Sequence, residues 1–132
     1  MTVLDVPMIQ TRGFRNRDGG EGFELRLRLP YYRGVWTNLV EGASVTVDGE
    51  HYPADRVGWT IAGRDYTLAE LRSSEEARWP VDVAAVLRVP RHEPLSIGLH
   101  DVSAELRLQM SYIPEELQPT IWTDERRMVI TR

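Results

Sequence analysis

The sequence predicts a single all-β domain over residues 1–132, an antiparallel β-sandwich or β-barrel-like fold of about eight strands with at most one short helical turn. Three observations predict it. Apolar and polar residues alternate with a period of two in several segments, turn-forming residues separate these segments, and no long window keeps a helical period. A chain of 132 residues can also bury a core without disulfides, and this one has no cysteine.

The strands are read from the period-two alternation. In the first of them, Phe23, Leu25 and Leu27 alternate with charged residues, which gives one buried face and one wet face. The predicted strands, in chain order, are Gly22–Leu29, Ala43–Val47, Val57–Ala62, Arg64–Tyr66, Val83–Val89, Val102–Tyr112 and a closing edge strand at Met128–Thr131.

The connections follow from turn chemistry. Asp48-Gly49 favours a tight turn with positive φ, and Gly63 predicts a second hairpin turn. Thr67 and Glu70 have the spacing of a capping box, so one helical turn is expected after Thr67. Arg15–Glu21 is interpreted as a polar loop.

Composition excludes several classes of function. The net charge of −4 argues against a nucleic-acid binder, which needs a basic face. No apolar run approaches the roughly 20 residues of a membrane span, and the start of the sequence lacks the pattern of a signal peptide. A soluble protein of the cytoplasm is therefore expected, with neither a membrane nor a nucleic acid as its partner.

The titratable residues do not form a recognisable catalytic or metal-binding motif. His51, His92 and His100 lack metal-ligand spacing, and a structural role at turns is favoured for each. The pairs Glu75-Glu76 and Glu115-Glu116 read as solvated surface. We therefore predict no catalytic residue, metal or cofactor on this chain, although a site assembled from distant residues stays open.

The densest cluster of aromatic and arginine side chains lies after the first predicted strand. Tyrosine, tryptophan and arginine are enriched at interface hot spots, so this segment is predicted to be an interface or a pocket wall. An ordinary strand end with core tyrosines is the alternative, and the exposed face of Val102–Tyr112 is the second choice of interface. The predicted site residues are Arg28, Pro30, Tyr31, Tyr32, Arg33, Gly34 and Trp36.

The same segment resembles a known family. The run Arg26-Leu27-Arg28-Leu29-Pro30-Tyr31-Tyr32-Arg33-Gly34 is similar to the signature of the small β subunit of bacterial C-glycoside deglycosidases. The resemblance continues in order, through Val45–Glu50, Gly63–Leu68, Trp79, Gly98-Leu99-His100 and Ser111-Tyr112-Ile113-Pro114.

The resemblance implies a subunit that is inactive alone. It implies a heterodimer or higher heteromer with a TIM-barrel α subunit, which would hold a divalent metal, manganese, and the catalytic base. The reaction implied is an elimination that cleaves the C–C glycosidic bond of a 3-oxo-C-glycoside. Two alternatives stay open: a stand-alone carbohydrate-binding β-sandwich module, and a lone small enzyme with a histidine–carboxylate metal site.

Overall fold

The strands of the chain are short at its start and long at its end. A computed structural model describes residues 2–110 and 113–131. Within these residues lie one α-helix, α1 (Leu68–Ser73), and twelve strands. The strands are β1 (Thr2–Asp5), β2 (Arg15–Asn16), β3 (Phe23–Leu27), β4 (Val35–Trp36), β5 (Val40–Val47), β6 (Glu50–Tyr52), β7 (Gly58–Ile61), β8 (Arg64–Tyr66), β9 (Arg78–Trp79), β10 (Ala85–Val89), β11 (Gly98–Leu108) and β12 (Thr120–Ile130).

Two five-stranded sheets pack face to face. The first has the strand order β1-β12-β11-β5-β6 and the second the order β2-β3-β10-β7-β8. The strands β4 and β9 form a separate two-stranded ribbon. Among the described strands neither sheet closes on itself, so the sandwich is the one of the two predicted architectures that is observed. The all-β prediction is confirmed.

The core lies between the two sheets because each long strand buries alternate residues. In β11 the residues Val102, Ala104, Leu106 and Leu108 are buried, whereas their neighbours are at least partly exposed. Phe23 of the second sheet meets Tyr52 of the first edge to face, with ring centroids 5.3 Å apart. Such contacts between side chains of opposite sheets join the two layers into one core.

A strap of residues 6–10 joins the two sheets at one side. The Val6 N–H donates to Thr123 of the first sheet, and the Gln10 N–H donates to Arg26 of the second. Between them, one carboxylate oxygen of Asp124 accepts the N–H groups of Met8 and Ile9, at 2.8 and 2.9 Å. The strap therefore depends on a buried carboxylate more than 100 residues away in the sequence.

The predicted turns and the helix start are confirmed. Asp48 and Gly49 both have positive φ, 49° and 86°. The capping box is complete, because the Thr67 hydroxyl accepts the Glu70 N–H while the Glu70 carboxylate accepts the Thr67 N–H. The described residues form twelve strands, more than the eight expected, because several of the strands are only two or three residues long.

Several boundaries differ from the prediction. The last strand, β12, is eleven residues long, whereas only Met128–Thr131 is predicted. The prediction missed its first part because Asp124 and Arg126 on the inner side interrupt the alternation of apolar residues. Residues 15–16 of the expected polar loop form β2. The predicted strand Val102–Tyr112 begins earlier, at Gly98, and ends at Leu108, while Ser111 and Tyr112 lie outside the described residues. No helix among the described residues is long and apolar enough to cross a bilayer.

Candidate partner-binding surface

The ribbon of β4 and β9 presents one tryptophan to the core and another to solvent. On its inner side Val35 pairs with Trp79, and on its outer side Trp36 pairs with Arg78. Trp79 is fully buried, donates its indole N–H to the Val83 carbonyl at 2.8 Å, and packs edge to face on Trp59. The inner side therefore holds the ribbon rigidly against the core.

The outer side of the ribbon combines an aromatic ring with a cation. Trp36 keeps 45% of its surface exposed. The Arg78 guanidinium lies 4.5 Å from the centre of its ring, within the range of a cation–π contact. Arg78 was not among the predicted site residues, because only the cross-strand register brings it to Trp36.

The loop before the ribbon carries the two adjacent tyrosines. Tyr31 is partly buried against the core and Tyr32 is 75% exposed. Their ring centroids are 4.5 Å apart, and the Arg33 guanidinium lies 5.6 Å from the Tyr32 ring. A hydrogen bond with Tyr31 raises the pKa of the Tyr32 hydroxyl.

A close backbone approach fixes the joint between the loop and the ribbon. A Cβ at Gly34 would lie 2.8 Å from the Trp79 carbonyl oxygen, so any other residue would push the two strands apart. Beyond the ribbon, the buried Thr37 fixes the chain in place. Its N–H donates to the Ala77 carbonyl and its hydroxyl donates to the Leu71 carbonyl. We call the exposed side chains of Tyr32, Arg33, Trp36 and Arg78 the aromatic–arginine surface.

Two further predicted site residues precede this surface in the chain. Arg28 is exposed, and its N–H donates to the Met8 carbonyl at 2.8 Å. Pro30 is partly buried between Arg28 and the tyrosines. The assignment of the segment as an interface or pocket wall stays a prediction.

The second choice of interface stays a prediction, and two of its side chains have partners within the chain. The Arg107 guanidinium pairs with Glu105 at 3.0 Å, and the Gln109 amide donates to Glu41. These side chains are therefore satisfied locally.

His100 has the structural role that the sequence predicted. Its ring is 5% exposed, with Nδ1 2.5 Å from the Asp48 carboxylate and Nε2 2.8 Å from the Ser96 carbonyl. Burial alone would lower the pKa of His100, but the hydrogen bonds to Ser96 and Asp48 outweigh it and raise the pKa. The hydrogen bond from His100, together with that from the Asp101 N–H, lowers the pKa of Asp48. Both ring nitrogens face acceptors, which favours the protonated ring, and the two bonds tie the Asp48 turn to the loop at Ser96.

The other titratable groups do not converge. His51 bonds Thr46 at 3.0 Å, and His92 is exposed. Within residues 2–110 and 113–131, no group of three histidine, aspartate or glutamate side chains is arranged to hold a metal ion.

A hollow lies on the outer face of the first sheet. It has a volume of about 630 Å³ and is lined mainly by hydroxyls and carboxylates. His51 is its one ring-bearing lining residue among those described, so the hollow lacks a flat apolar platform on which a sugar could stack.

The chain is similar to a defined set of proteins. Residues 4–112 match the family described as C-glycoside deglycosidase beta subunit. A protein of that name from Eubacterium cellulosolvens is 34% identical over 130 residues, which are 96% of this chain and 88% of the relative. The 3'-dehydrocarminate deglycosidase beta subunit of a Microbacterium species is 33% identical over 109 residues, 81% of this chain and 82% of the relative. A C-glycoside deglycosidase beta subunit of Microbacterium trichothecenolyticum is 31% identical, over 83% of each chain.

Proposed function

This chain belongs to the family of C-glycoside deglycosidase β subunits, and from that premise we propose that it is the non-catalytic subunit of a carbon–carbon lyase. In this proposal its partner is a larger TIM-barrel α subunit, and the two work together in the cytoplasm. The observation that carries the proposal is the family match, which spans most of the sandwich and includes the whole aromatic–arginine surface.

The proposed substrate is a C-glycoside already oxidised at C3 of the sugar. A C–C glycosidic bond has no leaving oxygen to protonate, so the usual two-carboxylate hydrolysis does not apply. A C3 ketone makes the C2 hydrogen acidic, and a base can then remove it. The C2–H electrons form a C1=C2 double bond, the bond from C1 to the aglycone carbon breaks, and that carbon takes up a proton. The name of the Microbacterium relative, with its 3'-dehydro sugar, supports this substrate class.

The proposal assigns the base and a manganese ion to the α subunit. The described residues of this chain do not fit a divalent cation, which needs several oxygen or nitrogen ligands converging on one point. In this proposal its own side chains carry out no chemical step. Its contribution is to cover and shape the surface of the barrel.

The aromatic–arginine surface supports the assignment of the contact. Tyr32 and Trp36 leave large ring areas in water, and burial of such area at about 25 cal/mol per Å² is favourable on association. Arg33 and Arg78 beside them can pair with carboxylates of a partner. A stable heteromer buries well over ~1,200 Å² in total, so residues around this surface also join the contact.

Activity is tested with the two chains separately and together. The substrate is a 3-oxo-C-glucoside, manganese is present throughout, and release of the aglycone is measured by chromatography. We expect turnover only in the mixture. Turnover by this chain alone would refute the division of labour.

The interface is tested by substitution at exposed positions, where folding is not at risk. Tyr32→Ala or Trp36→Ala should weaken binding of the α subunit by ~2 kcal/mol or more, about 30-fold in Kd. Arg33→Lys keeps the charge but loses the planar fork, so it should also weaken binding. Arg64→Lys is the matched control, because Arg64 lies 5.8 Å from the Tyr66 ring in a similar pair elsewhere. If every variant binds the α subunit with the wild-type Kd and keeps its thermal stability, the interface lies elsewhere.

The alternative function is a stand-alone carbohydrate-binding module. It would stack a sugar on an exposed ring, but Arg78 already lies over the Trp36 ring. Calorimetric titration of the free chain with mono- and disaccharides decides between the two, since a module binds them without the α subunit.

A further inference from the structure

A hollow lined mainly by basic side chains lies at one end of the second sheet. It has a volume of about 420 Å³ and is formed by the loop before β3, the 3-10 turn Ala54–Arg56 and the turn after β10. Its basic side chains are those of Arg17, Arg56, Arg91 and His92, and Glu21 is the one acid among the described residues that line it. The whole chain has a net charge of −4, so this local excess of positive charge is the reverse of the average composition. We call this feature the arginine hollow.

A close backbone contact brings two of the arginines together. The Arg17 N–H donates to the Gly22 carbonyl at 2.8 Å, which closes the loop before β3. Gly22 in turn lies against the turn after β10, because a Cβ there would be 2.0 Å from the Val89 carbonyl oxygen and 3.0 Å from the Arg91 nitrogen. The loop that carries Arg17 is therefore packed directly on the turn that carries Arg91.

The Arg91 guanidinium is held rigidly and still has donors to spare. Its Nε donates to the Tyr52 hydroxyl at 3.1 Å, and its Nη1 donates to the carbonyls of Glu93 and Pro94. Glu50, whose side chain is 57% exposed, lies 3.8 Å from Nε, where solvent weakens the pairing. Among the described residues Nη2 has no acceptor, so its two N–H groups are available to a ligand. A cation fixed in this way binds with a smaller loss of entropy.

The other two arginines of the hollow are not neutralised within the described chain. Arg15, Arg107 and Arg127 each pair with a carboxylate at 2.7–3.0 Å, whereas no described ion pair includes Arg17 or Arg56. Three arginines against one glutamate leave the hollow with a formal excess of two positive charges. Like charges held close together repel, and a bound anion would offset that repulsion.

We propose that the arginine hollow binds the phosphate group of a small phosphorylated molecule. A phosphate monoester carries a charge of about −1.5 to −2 and presents three acceptor oxygens in a tetrahedral arrangement. That charge matches the excess in the hollow, and the three oxygens match guanidinium groups that come from three separate segments of the chain. A carboxylate has one charge and two oxygens in a plane, which a single arginine already satisfies.

The arginine hollow is separate from the aromatic–arginine surface. In the pairing of β3 with β10, Phe23 and Val89 are partners at the end next to the hollow, and Leu27 and Ala85 are partners at the end next to the ribbon. The four steps between them span about 13 Å along the strands. Phosphate binding is measured on the free chain, so its result does not depend on the proposed function.

The test is an NMR titration of the full isotope-labelled chain with sodium phosphate at about pH 8, where phosphate is largely dianionic. Sodium chloride at the same ionic strength is the reference. The amide signals of Gly20, Glu21 and His92 should shift and saturate with a Kd of about 1 mM or below, as several charge-assisted hydrogen bonds would give. Malonate has a similar charge but planar carboxylates, and it should bind about 10-fold more weakly or worse.

Substitutions at exposed or partly exposed positions identify the ligands. Arg17→Gln and Arg56→Gln should each weaken phosphate binding about 10-fold or more, because each removes a charge-assisted hydrogen bond. Arg72→Gln is the matched control, since it removes the same charge at an exposed position on α1 and should keep the wild-type Kd. Glu21→Gln removes the opposing carboxylate and should tighten binding by roughly two- to fivefold. Arg91 is left unchanged because it also holds the turn after β10.

Three results would overturn the proposal. The first is a set of amide signals that move no more in phosphate than in chloride. The second is an equal loss of affinity in Arg72→Gln and Arg56→Gln, which would show a general effect of net charge. The third is malonate binding as tight as that of phosphate, which would assign the hollow to carboxylates. Thermal unfolding of each variant checks the fold, and the exposed Arg56 keeps the test valid if Arg17→Gln is destabilised.

Discussion

Removal of the Asp124 carboxylate should destabilise the whole sandwich, because this one group holds the strap of residues 6–10. Asp124 is 9% exposed, and its Oδ2 accepts the N–H groups of Met8 and Ile9, which are themselves 1% and 3% exposed. Asp124→Ala leaves both buried donors without a partner. Each such loss costs ~1–3 kcal/mol, so we expect the free energy of unfolding to fall by roughly 2–6 kcal/mol.

A graded series separates the hydrogen bonds from the charge. Asp124→Asn keeps an oxygen that can accept both N–H groups and loses only the charge, so it should cost about 1 kcal/mol. Glu125→Ala is the neighbouring control at an exposed position, and it should stay within ~0.5 kcal/mol of the wild type. In a chain of this size each kcal/mol lowers Tm by about 4 °C.

The assay is equilibrium unfolding in urea, combined with amide hydrogen exchange at Met8 and Ile9. Asp124→Ala should lower the midpoint and should also increase exchange at these two amides more than elsewhere, because the strap opens locally. If Asp124→Ala costs no more than Asp124→Asn, or if both amides keep their protection, then the carboxylate does not hold the strap.

Two further predictions concern a pH dependence and a glycine. The raised pKa of His100 means that its bond to Asp48 stabilises the fold fully below the ordinary histidine pKa of 6.5, and that this contribution is lost as pH rises through the raised value. Unfolding followed from pH 6 to pH 10 should show this loss, and His100→Gln should abolish it; a wild-type stability that is flat across the range would contradict the imidazolium. Gly22→Ala would place a Cβ 2.0 Å from the Val89 carbonyl oxygen, whereas Gly98→Ala, at a φ of 124° against 122° for Gly22, has open space around it. Gly22→Ala should therefore lower Tm well below that of Gly98→Ala, whose cost is backbone strain alone, and equal effects on Tm would show that the chain yields at Val89.

Features that depend on neighbouring residues were predictable from the sequence. The alternation of Phe23, Leu25 and Leu27 is enough to identify β3, because successive side chains of a strand point to opposite faces. The positive φ values of the Asp48-Gly49 turn and the capping box from Thr67 to Glu70 are likewise local, since each follows from residues no more than four positions apart. The resemblance to the β-subunit family also rested on short ordered segments, and the family match confirms it.

The sequence by itself determined the all-β class, the turns, the helix start and the family, because each follows from residues close together in the chain. Only the tertiary structure decided which distant residues meet. Trp36 reaches Arg78, Asp48 reaches His100, and Asp124 reaches Met8 across 116 positions. These meetings are set by the register of strands and by the packing of one sheet on the other, which no local pattern encodes.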